Sequence, residues 1–264
     1  MYLKQFFGDV TSPHPCVNCR GDETLDFTVR MAFQPIVDVA TRSVYAYEAL
    51  VRGENGENAA EVIARVPPHQ LYRFDQTCRV LAIDTAARLG LATRLSINFA
   101  PNAVYEPATC IRLTLAAAER CRFDPRQLIF EVTESEQIRD VPHVVRIIKD
   151  YQSRGFLTAI DDFGAGYAGL NLLAEFQPDV VKLDMALIRG LDQDRVRRSI
   201  TSGIVATCRS LGCEVLAEGV ETQAEYRVLR EMGITRFQGY LFARPALEVL
   251  PVVDPGLWDT LEAG

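Results

Sequence analysis

From residue 32 onward, short apolar strand-like runs alternate regularly with helical patterns, and this alternation limits the possible folds more than any other feature. "AFQPIVDV" and "VYAYEALVRG", parted by the turn-like "ATRS", read as a hairpin. Apolar residues at three and four spacing follow in "AAEVIARV" and "LYRFDQTCRVLAIDTAARLG", the second stopping at Gly90, a natural C-terminal cap. Strand and helix then take turns: "RLSINFA", a helix near "CIRLTLAAAERC", "QLIFEVTES", the helix "VPHVVRIIKDYQSRG", "LTAIDDFG", a shorter helix through "YAGLNLLAEF" and "DVVKLD". "VRRSITSGIVATCRSLG" (helix), "EVLAEGVE" (strand), "QAEYRVLREMG" (helix) and "RFQGYLF" (strand) complete the series. Such alternation implies crossover units and a mostly parallel sheet. Eight strands in this length predict an α/β fold, a modified (β/α)8 barrel of the TIM kind with one antiparallel strand near the N-terminus.

The chain has 264 residues, 48% of them hydrophobic, which suits one large core. The expected organisation is an N-terminal extension over residues 1–30 and a barrel over 31–264. A net charge of -7 offers no basic footprint for duplex nucleic acid. No apolar run reaches membrane-spanning length and the N-terminus lacks a signal-peptide core, so the expectation is a cytoplasmic protein with no membrane partner. Seven cysteines are an odd number, and Cys78, Cys110, Cys121, Cys208 and Cys213 lie scattered through helix-like or strand-edge contexts, which implies no disulfide framework. Cys16 and Cys19, in "CVNCR", are spaced for a metal or a redox pair. Only His14 lies nearby, short of a closed four-ligand site, so an incidental or partner-dependent pair is expected.

The strand tips carry the chemistry. The runs after the hairpin end in Asn98, Glu131, Asp161 with Asp162, Asp184, and Glu218 with Glu221, and Lys182 stands two before Asp184. In a parallel barrel these tips converge on one face, and Glu48 joins them if the second hairpin strand points the same way. So many carboxylates would repel strongly unless cations joined them. The donors are oxygens and His14, His69 and His143 sit outside the tips, so Mg²⁺ or Mn²⁺ fits better than zinc. Asp161 and Asp162 suit a metal pair about 3.5–4 Å apart, an arrangement common in phosphoester hydrolysis.

Taken singly, an acid at a strand end is more often a helix cap, and Glu134 and Glu221 fit that reading best. Six or more at successive tips are not explained by capping alone. Lys182 alternates with apolar neighbours in "VVKLD" and is expected to point into the barrel. The glycines of "DDFGAGYAGL" suit either a tight turn or a mobile loop closing on a ligand.

Together "YEALVRG", "SINFAPNAV", "IFEVTES", "IDDFGAGYAGL", "PDVVKLD", "AEGVET" and "FQGYLFARP", in this order, resemble the EAL-domain family of bacterial cyclic di-GMP phosphodiesterases. The phrasing is most similar to EAL domains attached to blue-light-sensing BLUF modules. The resemblance implies hydrolysis of cyclic di-GMP to linear 5′-pGpG with two divalent cations. By position, Glu48, Asn98, Glu131 and Asp161 match ligands of a first metal, and Asp161 bridges to a second held by Asp162 and Glu218. Lys182 matches a lysine that helps hold the attacking water, and Glu218 has been treated as a general base. Glu48, Asp162, Lys182 and Glu218 are therefore the expected catalytic group. Arg52 matches a phosphate-contacting arginine. Gln34, Asp184 and Gln238 match further substrate-site positions, and Glu134 and Glu221 match anchors of the loop after "DDFG".

That loop reads "FGAGYAGL" where many members have "FGTGYSSL", so Ala165 and Ala168 replace hydroxyl side chains. Every metal position and loop anchor is retained, which favours an active enzyme over a silent cyclic di-GMP receptor. The resemblance also implies a homodimer and a regulatory or sensor partner.

Overall fold

A computed structural model of the chain describes residues 25–104, 106–133, 140–166 and 169–262. Its strands are β1 (Val29–Asp38), β2 (Ser43–Gly53), β3 (Arg94–Asn98), β4 (Leu128–Thr133), β5 (Leu157–Phe163), β6 (Val180–Leu183), β7 (Glu214–Ala217), β8 (Arg236–Phe237) and β9 (Ala246–Leu247). Hydrogen bonding runs β2-β3-β4-β5-β6-β7-β8-β1, and β1 pairs back onto β2, so the ring closes. β1 is antiparallel to both β2 and β8. The β2–β3 pair and those that follow it round to β8 are parallel. This is the expected eight-stranded barrel with one reversed strand. β9 adds antiparallel to β1, and at two residues it is too short to leave a sequence pattern.

Around the ring lie α1 (Ala59–Ile63), α2 (Leu71–Arg88), α3 (Pro107–Cys110), α4 (Arg112–Cys121), α5 (Val141–Ser153) and α6 (Gly169–Glu175). Further on are α7 (Met185–Ile188), α8 (Arg195–Ser210), α9 (Gln223–Glu231) and α10 (Pro255–Glu262). Local chemistry sets their ends: Asn58 and Thr222 each close a capping box with a glutamate three residues on. The single helix expected near "CIRLTLAAAERC" is divided into α3 and α4 at Ile111, and α7 and α10 were not expected.

Packing begins before the expected boundary at residue 31, because Leu25 and Val29 are buried with Val62 and Phe74. Cys16, Cys19 and His14 lie outside the described residues. Cys78, Cys110, Cys121, Cys208 and Cys213 are free thiols. Among the described residues, no helix is long and apolar enough to cross a membrane.

Side chains alternate across each strand, and the barrel uses that period to build two inner layers. Ile36, Ala46, Ile129, Ala159, Val180 and Leu216 form a small apolar plug inside the ring. Two residues further along their strands come Glu48, Glu131, Asp161 and Lys182, and just past the end of β7 comes Glu218. On the reversed strand the counterpart, Gln34, comes two residues before Ile36. Outward residues such as Phe33, Tyr47, Phe130, Ile160 and Val181 join the main core beneath the helices. Both faces of the parallel strands are therefore buried, which is why the runs read as almost continuously apolar. The plug excludes water beneath the polar layer and strengthens every charge interaction within it.

Candidate functional site

Neighbouring residues on a regular strand point to opposite faces, so Asp161 and Asp162 could not both reach the barrel mouth from one. The register of β5 on β6 slips between them: Ile160 pairs with Val181 and Phe163 with Leu183. Asp161 and Asp162 together therefore oppose the single residue Lys182, a β-bulge. Asp162 adopts a left-handed φ of 54°, a conformation that aspartate tolerates better than most side chains. Gly164 follows at φ +98°, where a Cβ would lie 2.4 Å from Leu187 Cδ1, so the turn needs glycine. One oxygen each from Asp161, Asp162 and Glu218 then lie within 4.8 Å of one another, as do oxygens of Glu48, Glu131 and Asp161. Asp161 belongs to both groups.

Lys182 is 1% exposed and stands among four of these carboxylates. Its Nζ lies 2.6 Å from Glu218 Oε1, 2.8 Å from Asp161 Oδ1, 2.9 Å from Glu131 Oε2 and 3.5 Å from Glu48 Oε2. Burial pulls the ammonium down, but Asp161, Glu131, Glu218 and Glu48 outweigh it and hold Lys182 well above the usual lysine range. Burial raises Glu131 to about 8, against the pull of Lys182 and with the push of Glu48 and Asp161. Burial, then the charges of Asp161 and Asp184, raise Asp162 to about 6. Burial and Asp161 also push Glu218 well above the ordinary carboxylate range. One lysine leaves this cluster short of positive charge.

A relay of side chains fixes Glu48. Asn98 Nδ2 donates to Glu48 Oε1 at 3.1 Å, and Gln238 Nε2 donates to Glu48 Oε2 at 2.7 Å and to Gln34 Oε1 at 3.2 Å. Gln34 Nε2 in turn donates to the Ala243 carbonyl at 3.0 Å. Asn98 spends its amide nitrogen here and leaves its carbonyl oxygen for a cation. Gln34 and Gln238, expected at the substrate, are both buried; Gln238 orients Glu48 directly and Gln34 holds Gln238, a positioning role that the sequence did not reveal. On the far side Ser96 Oγ donates to Glu131 Oε1, which steers that carboxylate toward Lys182.

The other expected residues divide. Arg52 lies four past Glu48 on β2, half-buried, with Nη1 donating to the Val51 carbonyl at 2.8 Å. Asp184 caps α7 by accepting from Ala186 N at 2.7 Å, and its charge still reaches Asp162. Glu221 stands apart from the two acidic groups: it is exposed and pairs with Arg189 at 2.8 Å, just before α9. Glu134 lies outside the described residues.

The donor set fits hard divalent cations. It is all oxygen, and neither acidic group contains a histidine or cysteine among the described residues. Among the described residues, buried Asp161 Oδ1 has the ion-pair contact with Lys182 at 2.8 Å and no further hydrogen bond, so a lone pair remains for a further partner. Glu48, Asn98, Glu131 and Asp161 would hold one ion, and Asp161, Asp162 and Glu218 a second.

Comparison with known proteins places this geometry. The BluF antirepressor of Escherichia coli K12, regulated by blue light and temperature, is 35% identical over 223 residues, 84% of this chain and 55% of BluF. MucR of Pseudomonas aeruginosa, a bifunctional diguanylate cyclase and cyclic di-GMP phosphodiesterase, is 38% identical over 81% of this chain and 32% of its own length. The chain thus spans about half of one curated relative and a third of the other. A standalone versatile EAL protein of Vibrio cholerae O395, solved with c-di-GMP, superposes with a TM-score of 0.86 at 52% identity, covering 89% of this chain and 99% of that one. BlrP1 of Klebsiella pneumoniae, solved with manganese and cyclic di-GMP, gives a TM-score of 0.80 at 35% identity over 87% of this chain and 59% of its own. The expected nearness to light-regulated members agrees with BluF. The EAL domain model matches residues 24–245, the stretch that builds the ring and all of its acidic tips, and the chain belongs to the EAL-domain family.

Proposed function

We propose that this protein is a metal-dependent phosphodiesterase that hydrolyses cyclic di-GMP to linear 5′-pGpG. The observation that carries the reading is Asp161, shared by two acidic groups over one buried lysine. Relatives named as cyclic di-GMP phosphodiesterases, such as PdeR of Escherichia coli K12, support it. Two cations, Mg²⁺ or Mn²⁺, would lower the pKa of a shared water and polarise the phosphoryl oxygens.

The chain's own residues do the rest. Lys182 sits beneath the shared carboxylate, where its ammonium can hold the attacking water. Glu218, raised by burial and Asp161, suits a proton acceptor beside that water. The arginine fork of Arg52 suits a non-bridging phosphate oxygen. Gln238 keeps a buried Oε1 without a hydrogen bond among the described residues, an acceptor available to substrate or water. In-line attack forms one P–O bond as the ester bond opposite breaks, which opens the ring.

We also infer a homodimer and a regulatory or sensor partner. Exposed Val196 and Ile200, one turn apart on α8, and Leu170 on α6 supply apolar surface for association. Sedimentation that found only monomer at high concentration would refute the dimer.

The test of activity is chromatographic: cyclic di-GMP with Mg²⁺ or Mn²⁺, alongside Asp161→Asn and an EDTA control. Linear pGpG from the intact, metal-loaded protein alone is the expected result. Substrate bound but unchanged would favour a receptor, and no binding would remove cyclic di-GMP altogether.

A further inference from the structure

A charged pair lies sealed beneath the barrel wall, on the side opposite the acidic cluster. Arg79 of α2 is fully buried, and its Nη2 lies 2.7 Å from Asp75 Oδ2, one helical turn away. Its Nη1 donates to Tyr151 Oη of α5 at 3.0 Å. The guanidinium also sits between two rings, 5.3 Å from the centroid of Phe99 and 5.6 Å from that of Phe130. Arginine is seldom fully buried, and an apolar residue of similar volume would stabilise such a site as well or better. A reason other than stability is therefore needed.

The contacts of the pair supply one. Phe99 follows Asn98 and Phe130 precedes Glu131, and alternation puts the rings on the outer face while Asn98 and Glu131 face inward. Asn98 and Glu131 are register partners on β3 and β4. Beyond Asn98, Phe99 N donates to the Glu131 carbonyl at 3.0 Å. Ala100 N donates to Asp75 Oδ1 at 2.9 Å, where the chain has already left β3 and has no ladder partner. Both amides that follow Asn98 are thus held, one by the neighbouring strand and one by the buried carboxylate.

We propose that Asp75, seated by Gln76 and by Arg79, which Tyr151 holds in turn, is a positioning residue that fixes Asn98 and Glu131 at the spacing a divalent cation needs. This rests on the two-cation reading of the site but not on turnover. Asp75 touches neither cation nor substrate; it acts through the backbone at Ala100, and Arg79 acts through the two rings. Partners of metal ligands that hold them in place are worth roughly ten- to a hundredfold in metal affinity.

The test separates positioning from stability. In the double variant Asp75→Ala with Arg79→Met the charges leave together, so no uncompensated charge stays buried and thermal stability should fall less than in either single variant, by the cost of the orphaned Ala100 amide. Mn²⁺ affinity, measured by calorimetric titration without substrate, should nonetheless fall about tenfold. Asp75→Asn, which keeps an acceptor for Ala100 N, should recover most of that loss. Tyr151→Phe removes one hydroxyl and should weaken Mn²⁺ about threefold, a second reading if the double variant does not fold. Val205→Ala, a core truncation in α8, should lower stability and leave Mn²⁺ affinity unchanged. Wild-type Mn²⁺ affinity in the folded double variant, or in Tyr151→Phe, overturns the proposal. A wild type that binds Mn²⁺ without making pGpG would defeat the phosphodiesterase reading and leave this test intact, whereas one that binds no Mn²⁺ defeats both.

Discussion

Replacing Lys182 by methionine would keep the side-chain volume and remove the one positive charge that four carboxylates share. At the observed separations of 2.6–3.5 Å, each contact is worth about 5–6 kcal/mol gross at an effective dielectric of 20. The carboxylates repel one another by amounts of the same order, so the lysine chiefly cancels repulsion and its removal exposes it. The measured range for breaking a buried pair sets the net loss at about 3–5 kcal/mol in metal-free protein at pH 8. Protons soften the effect: Glu131, raised to about 8, is protonated well below that pH and no longer repels. At pH 5 the loss should be smaller than at pH 8, because without the pull of Lys182 the Glu131 carboxyl rises further and the variant binds more protons than wild type as pH rises. Mn²⁺ supplies the missing charge, so the variant should gain more from saturating metal than wild type does, and the gap should narrow. Urea unfolding followed by circular dichroism, with EDTA at pH 5 and pH 8 and with Mn²⁺ at pH 8, measures all three conditions. A Lys182→Met protein as stable as wild type in EDTA at pH 8, or a loss that does not shrink at pH 5, would refute the reasoning.

Other consequences can be checked in parallel. Glu131, whose pKa lies above the unfolded carboxylate value, stabilises metal-free protein at acid pH, and that contribution disappears as pH rises toward 8. Cation binding needs the same protons removed, from Glu131 and from Asp162 at about 6, so the Tm gain from Mn²⁺ should widen steadily between pH 5 and pH 8. A gain that is flat with pH would count against this. Asp162→Gly keeps a residue at ease with φ 54° while removing the carboxylate. Its stability should match wild type, Mn²⁺ stoichiometry by calorimetry should fall from two to one, and pGpG formation should drop at least a hundredfold. Gly239→Ala would put a Cβ 2.1 Å from the Val220 carbonyl oxygen, beside Gln238. A loss of about 2–4 kcal/mol in urea unfolding is expected from that overlap. Gln238→Ala removes a donor from Glu48 and should weaken Mn²⁺ about tenfold by titration.

Much of the fold was legible because its elements are written locally. Strands buried on both faces read as apolar runs, and a polar residue two positions after an apolar plug residue reads as a strand tip facing the mouth. Glu131 after Ile129 and Lys182 after Val180 are such cases. α10 and β9 were not read, the latter because two residues carry no period. Asp75 and Arg79 escaped for another reason. At a spacing of four on a helix they look like an exposed ion pair, and nothing local says that this face of α2 is covered by two phenylalanine rings.

The sequence by itself determined the barrel, the reversed first strand's hairpin and the list of acidic tips, since strand period, turn residues and residue chemistry are properties of short segments. Only the tertiary structure decided how those tips meet. The slip of register at Asp161 and Asp162 depends on what β6 offers opposite them. Gln238 reaches Glu48 across 190 residues of chain because the ring closes through β1. Lys182 gains its four carboxylates in the same way, from β2, β4, β5 and the turn after β7, since long-range geometry is set by packing the whole barrel at once.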